Sequence, residues 1–163
     1  MRFSILFAFL AALAFPAAAN AYDDPKALVT AVYAPYLSGQ QHADVSQFYS
    51  ARLKQLFLDH AETAAAQVDT SVEPLAAKPA FEFNPFIDAQ NALILDVVIG
   101  EPLVVGDKAL VTVGFHNFDH PTMLSLSLVR EADGWKVDDV TSMGGEESWM
   151  LSWLLRFDPW GVM

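Results

Sequence analysis

A chain of 163 residues with 20 acidic and 9 basic side chains carries a formal net charge of −11, and its few cations are scattered. Phosphate backbones and anionic lipid surfaces are bound by clustered Lys and Arg, so nucleic acid and acidic membranes are disfavoured as partners. The absence of cysteine removes disulfides, thiolate metal sites and lipid attachment at a thiol, leaving apolar burial, from a composition that is 53% hydrophobic, to hold the fold.

The first 21 residues follow the order of a cleavable secretory signal. Arg2 is followed by an apolar run from Phe3 to Phe15, a break at Pro16 and the small residues Ala19-Asn20-Ala21. The run is shorter than the roughly 20 residues that span a bilayer. Residues 22–163 are therefore expected to form one mature domain, released into the periplasm or the medium after cleavage near Ala21, with no stable membrane anchor. Losing Arg2 makes it one unit more acidic.

Asp24-Pro25 reads as a helix N-cap followed by proline at the first helical position. Leu28, Val29, Val32, Tyr33, Tyr36 and Leu37 then recur at three- and four-residue spacing, and Pro35 predicts a kink or an end before Ser38-Gly39. A second helical pattern opens at Asp44 with Val45, Phe48, Tyr49, Leu53, Leu56, Phe57 and His60 on one side. Ser50 is placed to recap it, giving a short turn and then a helix from Ala51 to about Ala65. From Gln67 to Ala80 periodicity stops and Pro74 and Pro79 mark an irregular connection.

The period then changes from 3.6 to 2. Alternation around Leu93 to Ile99, Ala109 to His116, Met123 to Glu131 and Trp135 to Thr141 predicts four strands, linked at Gly106-Asp107, Asp119-His120-Pro121 and Asp133-Gly134. Gly100 and Gly114 suit bends or bulges. A last helix is expected over Glu146 to Phe157, nearly all buried except a stripe of Ser148, Ser152 and Arg156. Helices first and a meander afterwards give an α+β fold, with N-terminal helices packed on a curved four-stranded antiparallel sheet and an apolar C-terminal helix.

This order resembles the nuclear-transport-factor-two-like, or cystatin-like, cone. The segments Asn84-Pro85-Phe86-Ile87-Asp88-Ala89-Gln90-Asn91, Asp107-Lys108-Ala109-Leu110-Val111-Thr112-Val113, Leu128-Val129-Arg130-Glu131 and Gly134-Trp135-Lys136-Val137-Asp138-Asp139-Val140 resemble an uncharacterised exported bacterial family, a domain of unknown function. That resemblance implies an exported protein with no assigned activity. The ketosteroid-isomerase-like branch of the fold would imply a pocket aspartate that moves a proton beside a tyrosine that stabilises an oxyanion. Asp88, Asp96 and Asp139 are the candidate bases, and Tyr33, Tyr36 and Tyr49 the candidate donors. Packed tyrosines and turn aspartates are the plainer reading of the same residues.

His116, Asp119 and His120 bracket a hairpin and are the candidate ligands for zinc or copper, although their spacing is not diagnostic and no metal is assigned. His60 reads as a hydrogen-bonded core residue, and His42 is isolated. No nucleophile elbow or phosphate-binding glycine loop occurs, and no cofactor is implied. The aromatic set Phe81, Phe83, Phe86, Trp149, Trp153 and Trp160, with Gln90, suggests a binding mouth or a contact patch. The function expected from the sequence is a non-catalytic binding protein of the bacterial envelope. Its partner would be a small apolar ligand or another protein, a second copy or a cationic toxin neutralised by an acidic immunity-type protein among them. The alternative is a small isomerase- or hydratase-like enzyme.

Overall fold

The computed structural model describes residues 22–67, 83–143 and 148–157. The expected signal segment, the connection after Gln67, Phe81, Glu146 and Trp160 lie outside those residues. Helix α1 spans Pro25–Leu37, and the Asp24 carboxylate accepts from the amides of Lys26 at 3.3 Å and Ala27 at 3.0 Å. Its buried face carries Leu28, Val29, Val32, Tyr33 and Tyr36, while Leu37, expected beside them, is exposed. Pro35 lies in the last turn, and the helix closes at Ser38, whose amide donates to Ala34 and Pro35.

A 3₁₀ turn at Ser46–Phe48 is opened by the Asp44 carboxylate, which accepts from the Ser46 amide at 2.9 Å. Helix α2 follows at Ala51–Gln67, and Ser50 Oγ accepts from the Leu53 amide at 3.0 Å, the cap the sequence placed there. Ser50 also donates its amide to Val137 at 2.8 Å, which fixes the start of α2 to the sheet.

The sheet is antiparallel and has five strands: β1 at Ile94–Ile99, β2 at Leu103–Val105, β3 at Lys108–Asn117, β4 at His120–Glu131 and β5 at Gly134–Ser142. The order is β1-β3-β4-β5, with β2 also paired to β3. The β2 strand was missed in the sequence because Leu103-Val104-Val105 is only three residues long and has no alternation. It forms because Gly100, whose amide donates to the Thr112 carbonyl at 2.8 Å, redirects the chain so that it continues along β3. The Gly106-Asp107 turn therefore joins β2 to β3.

Two further expectations are corrected. His120 and Pro121 belong to β4 rather than to the turn, because Asn117 pairs with His120 and leaves Phe118-Asp119 as the whole loop. The last helix, α3, is Leu151–Phe157. Met150 bridges Thr141 as extended chain, so among the described residues the helix starts only after that bridge. Ser152 is buried, while Trp153 and Phe157 are 49% and 63% exposed, so the burial expected for this helix is only partly met.

Helix α1 packs against β1, β3 and β5. Ala109, Val111, Val113 and Phe115 of β3 and Leu124, Leu126 and Leu128 of β4 form the core beneath the helices. Each such aliphatic or aromatic side chain contributes about 1.5–3 kcal/mol of transfer free energy when fully buried. The core needs no disulfide.

Candidate functional site

The candidate tyrosines and aspartates each have their own surroundings. Tyr33 is fully buried, with its ring 5.9 Å from Phe115 and 6.2 Å from Tyr36. Its hydroxyl has no hydrogen-bond partner among the described residues, and burial, then the neighbouring Tyr36, pushes its ionisation far above the ordinary tyrosine range. The Tyr36 hydroxyl accepts from Asn84 Nδ2 at 2.8 Å. Burial outweighs that hydrogen bond and raises Tyr36 as well. Tyr49 stacks between Phe57 at 5.3 Å and Phe86 at 5.8 Å, and its hydroxyl is raised mainly by burial.

Asp139 is buried and accepts through Oδ1 from the amides of Val140 at 2.9 Å and Ser152 at 3.0 Å. It ties β5 to the first turn of α3. Asp96 is exposed in the β1 bulge, at φ 54. Among the described residues no tyrosine hydroxyl is hydrogen-bonded to an aspartate. Arg52 engages Asp138 instead, with Nε 2.9 and 3.0 Å from its two carboxylate oxygens. Burial alone would raise the Asp138 carboxyl, but the Arg52 and Ser50 hydrogen bonds outweigh it and hold it below the usual range.

The hairpin histidines take separate carboxylates. His116 Nδ1 lies 3.7 Å from Asp96 Oδ2, and His120 Nε2 lies 3.4 Å from Asp119 Oδ1. Among the described residues no three His, Asp or Glu side chains gather as a metal site. His60 is buried and donates through Nδ1 to the Leu155 carbonyl at 3.1 Å, the core role read from the sequence.

The arrangement that does converge is built on the segment after Phe83. Asn84 Oδ1 accepts from the Phe86 amide at 2.9 Å, and the Asn84 amide donates to the Ala89 carbonyl at 2.8 Å, closing a tight loop. Phe86 and Ile87 are buried as its anchors, so Phe86 is core and not a contact residue. Asp88 follows with φ 50. Its carboxylate accepts from Ser142 Oγ at 2.8 Å and from Trp149 Nε1 at 2.8 Å, tying the loop to the end of β5 and to the chain before α3. Phe83 packs edge-on against Trp149 with ring centres 5.2 Å apart. Trp153 is elsewhere, against Phe157 on the exposed side of α3.

Between this loop and the β3–β4 hairpin lies an open depression of about 400 Å³, lined by Asp88, Gln90, Asn91, Phe118, His120 and Thr122. Its floor is rigid. Asn117, buried at the end of β3, accepts through Oδ1 from the Leu93 amide at 2.8 Å and donates Nδ2 to the Asn91 carbonyl at 3.0 Å. The Phe118 amide donates to the Leu93 carbonyl at 2.9 Å, and Phe118 itself is held at φ 57 with its side chain 50% exposed. Sequence reasoning named Asp88 and Gln90 but missed Asn117, Phe118 and Thr122. The available signal was the bulky Phe118 in a two-residue hairpin loop, where Gly, Asn or Asp is usual. A second recess, of about 540 Å³, is bounded by Ser46, Tyr49, Lys54, Phe57 and Leu58. It offers stacked rings but few polar groups.

Among the described residues no helix is long and apolar enough to cross a membrane. Compared with known proteins, the chain matches no family model, no curated protein and no solved structure.

Proposed function

We propose that the chain is an exported, non-catalytic binding protein that holds a small ligand in the depression between the Asp88 loop and the β3–β4 hairpin. One observation carries this reading. Of the three non-glycine residues with positive φ among the described residues, two, Asp88 and Phe118, line this one depression. Such a conformation costs about 1–3 kcal/mol per residue and persists where surrounding contacts over-determine it, which is the usual setting of a preorganised ligand site. The ligand is amphiphilic rather than wholly apolar, because an apolar molecule would strip water from the Asp88, Gln90 and His120 side chains without replacing their hydrogen bonds.

The N-terminal pattern from Met1 to Ala21 supports export. Native mass spectrometry of protein recovered from the cell envelope tests both parts of the reading. A polypeptide mass beginning at Tyr22, with a small-molecule adduct that Gln90→Ala weakens, is the expected result. Intact Met1 in the cytoplasm would overturn export, and an adduct indifferent to Gln90→Ala and to Phe118→Asn would overturn the site.

A further inference from the structure

Resting on that assignment of the depression, we infer that its ligand is a neutral, polyhydroxylated ring, a saccharide unit. The chemistry of the lining selects this class. Among the described residues no Lys or Arg lines the depression, and the chain is strongly acidic, so phosphate and carboxylate ligands meet no lysine or arginine counter-charge there. What the walls supply is a set of short, planar hydrogen-bonding groups. The Asp88 carboxylate has about four acceptor sites, of which Ser142 and Trp149 use two. The exposed Gln90 amide makes no hydrogen bond among the described residues, and amide groups both donate and accept. Vicinal hydroxyls of a sugar ring likewise donate and accept, and two neighbouring hydroxyls match the spacing of one carboxylate or one amide.

Phe118 supplies the complementary apolar wall. A pyranose presents one face of C–H bonds, which are the positive partners an aromatic ring face attracts. Phe118 is half-exposed at φ 57 in a two-residue loop, so part of its ring is open to a ligand. Phe118 lines the depression from a loop whose backbone is already hydrogen-bonded to Leu93, which lowers the ordering that binding requires. Asn117 locks the floor between β3 and residues 91–93, and Asp88 locks the opposite wall to β5. A volume of about 400 Å³ lies in the roughly 300–1,000 Å³ range of small-ligand sites and accommodates one or two rings. Because the depression is open, single rings should bind with dissociation constants on the order of 1 mM.

The test is a ¹H–¹⁵N titration of the purified protein with glucose, N-acetylglucosamine and cellobiose, beside hexanol and a capped dipeptide as non-saccharide probes. Saccharide-dependent shifts confined to the amides of residues 88–91, 117–120 and 122, weakened fivefold or more by both Gln90→Ala and Phe118→Asn, are expected. Asn tolerates positive φ, so the second variant removes the ring without disturbing the loop. Its dispersed spectrum, unchanged elsewhere, confirms that it is folded. If only hexanol or the dipeptide moves those amides, the saccharide assignment is overturned and the depression stands as a binding site. If no probe moves them, the site itself is overturned.

Discussion

Tyr33 carries a polar atom that the described residues leave without a partner. Its ring packs in the core against Phe115, but its buried hydroxyl makes no hydrogen bond among those residues. Removing such a group is close to neutral or favourable, so Tyr33→Phe should match or exceed the parent protein by up to about 1 kcal/mol at pH 7. The pH dependence has a definite sign. Because folding raises the hydroxyl's pKa, the folded state resists ionisation, so the stability of the parent is intact below the ordinary tyrosine value near 10 and falls as pH rises beyond it. Tyr33→Phe should make that alkaline fall shallower, leaving the part that comes from Tyr36 and Tyr49. Urea unfolding at pH 7 and in steps above pH 10 measures both effects, and a loss of more than about 1 kcal/mol at pH 7 would mean that the hydroxyl is hydrogen-bonded. The tyrosine was legible in the sequence as a core residue through its helical spacing. Its missing partner was not, because a hydroxyl's surroundings depend on side chains distant in the chain.

At the scale of elements, α3 depends on a residue that looked like a catalytic candidate. Asp139 accepts from the Ser152 amide and places a negative charge at the start of a seven-residue helix, which is too short to be stable alone. Asp139→Ala should cost about 1–3 kcal/mol by leaving buried amides unpaired. Amide exchange across Leu151–Phe157 should accelerate about tenfold or more while that of α1 is unchanged. Equal acceleration of both helices would show that α3 does not open as a separate unit. The sequence marked α1 and α2 well, because Asp24, Pro25 and Ser50 are local signals. The start of α3 was misplaced, since its N-terminal partner lies on β5 and its preceding residue, Met150, is held by a bridge to Thr141.

For the whole molecule, the helices cover one face of the sheet and the opposite face carries exposed apolar side chains. Val98, Gly114 and Met123 align across three strands, and Leu103 aligns with Leu110. Val98 and Leu103 are 67% and 66% exposed. Leu103→Lys should therefore change stability by less than about 0.5 kcal/mol. It should also reduce concentration-dependent light scattering, because a lysine on an edge strand opposes strand-to-strand association. A loss of more than about 1 kcal/mol in thermal unfolding would instead mean that Leu103 is packed in the folded protein.

The sequence by itself determined the features written within a few residues of one another. These are the helix caps, the period change that gives α+β, the turn at Gly106 and the apolar faces of α1 and α2. Tertiary structure alone decided which polar groups meet. Asp88 joins Ser142 and Trp149, residues 54 and 61 positions away, and Asp139 accepts from the Ser152 amide at the start of α3. The physical reason is reach. Backbone capping and side-chain periodicity act over a turn or a strand. A site requires hydrogen bonds that close only after β3, β4 and β5 have paired and set the Asp88 loop opposite Phe118.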